Sequence, residues 1–337
     1  MLQTFSRRAL IAGVALSFAA GCSGNSLTPN QFASGSSASQ VPMGMRVLPG
    51  PAVLGPRIVS AIPQKPDAPA GWPDRHKKKK EHLFVADGNS GVLIYNPKTV
   101  NGSPTGSITT GVNAPAGVAV DKTGALYVTN EGTNTVTVYP KGQSSPSLTI
   151  STGIDGPYGI GVDSNGNVFV SNLNNNTVTA YAAGSTSPYA TINFNAYGQA
   201  VGIGVDAMND VWVACDTTNK VFEIPAGTTQ VNNSGLTSLG GPIGVAFGRM
   251  DVIYVSNNGL SDVTVYAYGT TTPSATITNG IEHYGPTLGG FTAANAYFQS
   301  NQFDNVVGYK SGQTSPFSTL GGATSPLGIA SSPLVKK

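Results

Sequence analysis

The chain has 337 residues, enough for one large regular domain or two ordinary ones. Only 10% of them are charged while 43 are Gly, so turns, hydroxyls and amides must solvate much of the surface, as in exported β-rich proteins. A formal charge of +2, with much of the positive charge in one run from Arg75 to Lys80, argues against a nucleic-acid partner.

At the N-terminus, Arg7 and Arg8 precede an apolar run from Ala9 to Ala20. The run is too short to span a bilayer as a mature helix and reads as a signal peptide. It closes Ala19-Ala20-Gly21-Cys22, which resembles a bacterial lipobox. That resemblance implies a leader of residues 1–22, diacylation of Cys22 and attachment to the cell envelope. The alternative is a cleaved secretory leader followed by an incidental cysteine. Ser6 to Ile11 is similar to the twin-arginine export motif, with Ile11 where Lys is common, so twin-arginine and general secretory export both stay open. Ser23 after the cysteine implies the outer membrane if the lipoprotein is of Gram-negative type. With Cys22 so engaged, Cys215 has no disulfide partner. Residues 23–81 carry Ser, Gly, Pro and Ala clusters and end in a basic run, the pattern of a disordered tether. Its lysines either touch anionic lipid or stay solvated.

From His82 onward the chain repeats itself. The segments HLFVAD, ALYVTN, NVFVSN, DVWVAC, VIYVSN and AYFQSN place Phe84, Tyr127, Phe169, Trp212, Tyr254 and Phe298 at steps of 42 to 44 residues. A second series, Tyr95, Tyr139, Tyr181, Ile224, Tyr266 and Tyr309, stays in phase with the first. A period of this length is the signature of propeller blades. Each unit divides into four short β-type runs, here a to d, and Asp163-Ser164-Asn165-Gly166 exemplifies the a–b turn. The first unit opens on a b-like strand and the last ends on an a-like one at Pro326 to Ala330. The expected fold is therefore all-β, a six-bladed β-propeller of four-stranded blades over residues 82–333, closed when the C-terminal strand joins the first blade. Residues 334–337 are left as a tail.

The pattern Pro-x-Gly-[Val/Ile]-x-Val-Asp, an aromatic strand ending in Asn or Asp, then Asn-x-x-Val, resembles NHL repeats. Pro115 to Asp121 with Tyr127 to Asn130 is a clear copy, while the fourth to sixth units are degenerate, Gly248 replacing the turn Asp. The phrases YPKGQSSPSLTI, YAAGSTSPYATI, YAYGTTTPSATI and YKSGQTSPFSTL resemble a bacterial exported subset of that family. Such propellers include enzymes, protein binders and RNA binders, so the resemblance selects a fold and not a function. Two distantly similar enzyme groups are divalent-metal gluconolactonases and streptogramin B lyases, and both imply ionisable groups near the axis.

The residues before the inner-strand glycines are Ala116, Tyr158, Val201, Ile243, Leu288 and Leu327, and none of them holds a hard cation or moves a proton at neutral pH. No catalytic residue, metal ligand or cofactor is therefore assigned. The d–a and b–c loops should share one face and gather Tyr158, Tyr197, Glu282, His283 and Tyr284, with Glu131 and Asp216 nearby. Aromatics, amides and carboxylates in that mixture suit a glycan, peptide or protein of the envelope. The competing reading is a lactonase or lyase built on Glu131, Asp216 and His283. The Asn or Asp that closes strand b at Asp87, Asn130, Asn172, Asn257 and Asn301 reads as a turn residue bonding its own backbone. Cys215 reads as a small packed thiol.

Overall fold

The computed structural model describes residues 81–332 apart from 283–285, 293 and 303–304. The leader, Cys22, the tether up to residue 80, His283, Tyr284 and the tail lie outside the described residues. Among the described residues no helix is long and apolar enough to cross a membrane.

In chain order the strands are β1 (Leu83–Asp87), β2 (Gly91–Tyr95) and β3 (Gly106–Ile108), then β4 (Pro115–Val120), β5 (Leu126–Asn130), β6 (Thr135–Tyr139) and β7 (Leu148–Ile150). The third set is β8 (Pro157–Val162), β9 (Val168–Asn172), β10 (Thr177–Tyr181) and β11 (Pro188–Asn193), and the fourth is β12 (Ala200–Val205), β13 (Val211–Cys215), β14 (Lys220–Ile224) and β15 (Asn232–Asn233). The fifth is β16 (Pro242–Phe247), β17 (Ile253–Asn257), β18 (Asp262–Tyr266) and β19 (Ala275–Ile277). The last strands are β20 (Pro286–Phe291), β21 (Tyr297–Asn301), β22 (Asn305–Tyr309), β23 (Pro316–Leu320) and β24 (Pro326–Ser331). They form six four-stranded antiparallel sheets, and the first has the order β24-β1-β2-β3. The C-terminal strand thus completes the blade that the N-terminal strand begins, as the order of pieces in the sequence predicts. Neighbouring inner strands touch all the way round, β20 against β24 and β24 against β4. The fold is a closed six-bladed β-propeller.

Glycine lets the inner strands approach so closely. A Cβ on Gly117 would lie 2.3 Å from the Tyr158 carbonyl oxygen, and one on Gly202 would lie 2.3 Å from that of Ile243. Hydroxyls of the b strands stitch the same contact: Thr129 Oγ1 accepts from the Gly117 amide at 2.6 Å and donates to the Tyr158 carbonyl at 2.9 Å. Ser171 bridges Gly159 and Val201 in the same way. Farther out, the b-strand aromatics fill the wedges between blades. Trp212 meets Phe247 of the next blade edge-on at 5.6 Å, and Tyr254 meets Phe291 at 4.9 Å.

The a–b turns follow their predicted chemistry. Asp163 Oδ1 accepts the amides of Asn165 and Asn167, and Gly166 takes a φ of 87°.

Candidate functional site

Strand direction sorts the loops. The d–a loops and b–c turns lie on what we call the upper face, and the a–b and c–d loops lie on the lower one. On the upper face, left-handed asparagines tie each blade to the next. Asn134, Asn176 and Asn219 have φ values of 52 to 54°, and their Oδ1 atoms accept the amides of Gly156, Ala200 and Gly241. Asparagine tolerates this conformation because its short amide bonds locally.

The asparagines that end strand b are pins with wider reach than a turn residue has. Asn172 Oδ1 accepts the Asp155 amide at 3.0 Å while its Nδ2 donates to Thr177 and Thr179. Asn130 and Asn257 repeat the arrangement. Each d–a loop is also held by the Tyr that ends strand c, as Tyr181 donates to the Thr152 carbonyl at 2.8 Å. The fourth blade replaces this polar set wholesale. Cys215 stands for the Asn, Phe222 for the Thr and Ile224 for the Tyr, and they pack with Phe194 in an apolar cluster. Burial pushes the Cys215 thiol up to about 12, with Asp216 adding to the effect, so it is a packed group and not a nucleophile.

At the axis, Ala116, Tyr158, Val201 and Ile243 form a cluster with Leu173, Leu288 and Leu327 against it. This apolar plug closes the upper mouth of the channel. Below it an axial cavity of about 250 Å³ is walled by side chains such as Val118, Ile160, Ile203, Val245 and Phe291, with Ser331 as its one hydroxyl-bearing wall residue among the described ones. No cluster of three or more His, Cys, Asp or Glu able to hold a metal ion occurs among the described residues.

The residues singled out from sequence are distributed around this plug. Tyr158 is 7% exposed and belongs to it. Burial raises the pKa of its phenol, and the charges of Glu131 and Asp216 add to the effect. Glu131 is exposed in the turn Glu131–Thr133, whose amide at 131 donates to the Ala114 carbonyl. Asp216 opens the turn Asp216–Thr218; burial raises its carboxyl, and Oδ1 is buried with no hydrogen-bond partner. Tyr197 is half-buried, its ring edge-on to Phe194 at 5.6 Å and to Phe222 at 5.2 Å. Glu282 accepts from Asn305 Nδ2 at 2.8 Å across the sixth blade. Tyr158 thus belongs to the plug, Glu131 and Asp216 open b–c turns of two different blades on the same face, and Tyr197 sits within the aromatic cluster of the fourth blade.

The face has an electrostatic character that the residue-by-residue reading missed. Asp87, Glu131, Asp155, Asp216, Asp262 and Glu282 all lie in its loops or at its strand ends, and Lys220 is its one cation among the described residues. The signal was present in the sequence, but it needs the sorting of loops onto faces before it shows.

No protein-family model and no curated protein sequence matches the chain. Solved structures do. A chain of a nidogen/laminin complex aligns with a TM-score of 0.63 at 15% identity, over 76% of this chain and 100% of that one. The chain shares the fold of these propellers. A streptogramin B lyase aligns at 0.55 and 14% identity over 74% of this propeller chain and 87% of its own. A protein of unknown function from Bacteroides caccae aligns at 0.58 and 13% identity, over 75% and 99%. At such identities the likeness is one of fold.

Proposed function

We propose that the chain is an envelope-anchored, non-catalytic binding propeller whose upper face takes a protein or peptide carrying basic groups. The observation that carries this reading is the sign of that face: among the described residues, Asp87, Glu131, Asp155, Asp216, Asp262 and Glu282 lie in its loops or at its strand ends against Lys220 as its one cation. The lipobox-like Cys22 supports anchoring. The nidogen/laminin complex, in which a neighbour of the same fold has a protein partner, supports a macromolecular ligand. A glycan platform draws less support, because the rings of Tyr158 and Tyr197 are occupied by packing. The lactonase or lyase reading on Glu131, Asp216 and His283 rests on likeness to the streptogramin B lyase, and the apolar plug and cavity wall weigh against it.

The test is cross-linking in envelope extracts with residues 23–337 and with the double variant Glu131→Lys, Asp155→Lys. A basic partner that is lost in the variant and released by salt is the expected result. Unchanged capture by the variant, or turnover of a lactone that requires added magnesium, overturns the reading.

A further inference from the structure

We propose that the outer edge of the third blade pairs with the same edge of a second copy of this chain, joining two propellers through one continuous antiparallel sheet. Strand d is the rim of every blade, so its outward amides and carbonyls have no strand of their own sheet beyond them. In most blades this rim is short: β3, β7 and β19 have three residues each and β15 has two. The two longer rims are β11, with six residues, and β23, with five. The molecule treats them differently.

The rim of the sixth blade is covered. The c–d loop of the first blade reaches back over it: Asn101 Oδ1 accepts the Thr319 amide at 2.9 Å, the Gly102 carbonyl accepts that of Gly321 at 3.2 Å, and Ser318 Oγ accepts the Asn101 amide at 3.0 Å. Ile192 lies opposite Val178 in the third blade as Leu320 lies opposite Val306 in the sixth, so Thr191 and Asn193 hold the places of Thr319 and Gly321. The Phe194 amide donates to the Asn176 carbonyl. Alternation along an antiparallel ladder then turns the backbone groups of Ile192 inward and those of Thr191 and Asn193 outward. Both residues are exposed, and no described residue bonds their outward groups.

Two observations select a second copy as the occupant. The first is neutrality. No Asp, Glu, Lys or Arg lies between Asp163 and Asp206, so this blade lacks the charges with which sheet edges ordinarily keep one another apart. A partner chosen by charge has nothing to read there, whereas two such edges meet without like-charge repulsion. The second is self-complementarity. With Ile192 facing its own counterpart across a two-fold axis, Thr191 of each copy exchanges both backbone hydrogen bonds with Asn193 of the other. That register avoids the bulge opposite Ala180 and Tyr181 and sets Tyr189, 58% exposed, at the margin of the contact. Because the paired strands run antiparallel, the two upper faces point in opposite directions, one on each side of the pair.

Sedimentation velocity with residues 23–337, which keep every strand of the ring, tests the proposal at loadings up to roughly 1 mM, where a pair with a Kd of that order is populated. A concentration-dependent dimer is expected. Thr191→Pro removes an outward donor while the inward ladder stays, and Thr191→Lys supplies the missing edge charge. Each should weaken the dimer about tenfold or more with thermal unfolding unchanged. Thr191→Val keeps the backbone and should pair as the parent does, and so should Thr149→Pro, at the matching place in the shorter rim of the second blade. Asn193→Cys should be joined to its counterpart by a short bismaleimide, with the buried Cys215 unreactive. A dimer that ignores both Thr191→Pro and Thr191→Lys, or is broken equally by Thr149→Pro, overturns the proposal. So does a monomer at every loading, including one that loses an envelope partner through Thr191→Pro, since that partner would then donate the strand. Glu131→Lys with Asp155→Lys leaves this rim untouched, so the pairing and the upper-face reading fail separately.

Discussion

A single substitution pair in the sixth blade shows how strictly buried polarity is matched in this protein. The first and third positions of strand b are aliphatic in the other blades, as in Leu126 and Val128 or Ile253 and Val255, but here they are Tyr297 and Gln299. Both are buried. The Tyr297 hydroxyl donates to Gln299 Oε1, which also accepts from Ser256, while Gln299 Nε2 donates to the carbonyls of Thr287 and Ser300. The hydroxyl occupies space that Gly289 leaves open, since a Cβ there would lie 2.1 Å away. Removing the amide leaves the buried Tyr297 hydroxyl with only its 3.4 Å contact to Ser256 Oγ, so Gln299→Val should cost about 1–3 kcal/mol in chemical denaturation. Tyr297→Ile with Gln299→Val restores the aliphatic pattern of the other blades and should recover much of that loss. A double-mutant cycle measures the coupling directly, and additive losses would refute it.

At the scale of the blade, the fourth copy is the informative one. It gives up the Asn, Thr and Tyr that pin the neighbouring d–a loop and installs Cys215, Phe222 and Ile224 with Phe194 and Tyr197 packed around them. The three changes are intelligible only together, for any one polar member left alone among them would be buried unpaired. With its thiol raised to about 12, Cys215 should resist thiol reagents at neutral pH in the folded state and react only on unfolding. An unfolded thiol titrates near 8.5. The stabilisation from keeping Cys215 protonated is thus complete below that pH and is lost as pH climbs towards the folded value. Tyr95 and Tyr127, raised to about 12 by burial first and then by Asp87 and Asp121, add to the same alkaline decline. Thermal unfolding followed from pH 7 to 11 checks it, and a flat profile above pH 9 would count against it.

The blade pattern was readable in the sequence because the aromatic and tyrosine registers recur at nearly constant spacing, and so was closure, because the copies begin and end on different strands. The cross-blade role of Asn134, Asn176 and Asn219 was hidden, since nothing local distinguishes an asparagine that bonds its own turn from one that bonds a neighbour. The site was half legible for a similar reason. The inner-strand register from which Tyr158 was read as a candidate also buries its ring in the apolar plug.

Considered whole, the ring depends on a junction that carries charge. Asp87 sits at the end of strand β1 and accepts the amides of Asn89 and Ser90 on its own side and those of Thr324 and Ser325, which lead into β24, on the other. Burial would raise its carboxyl, but the amides of Ser325, Thr324, Asn89 and Ser90 together hold it below the ordinary value. Its contribution is therefore present above the unfolded carboxylate range, near 3.9, and disappears as pH falls through the lower folded value. Asp87→Asn should cost about 1–3 kcal/mol at neutral pH, and its deficit relative to the parent should shrink in acid. Denaturation curves at pH 7 and pH 3 measure both. A deficit that stays constant would show that the charge is not what holds the junction.

The meeting of His82 and Ser332 in one blade has a further meaning for how the polypeptide is routed. Where it begins is a matter of genetics and not of mechanics. A circular permutant that splices residue 332 to residue 82 through a short bridge, and is cut instead at the exposed Thr186 hairpin, keeps every sheet and every neighbour. It would relocate both termini to the rim of the third blade.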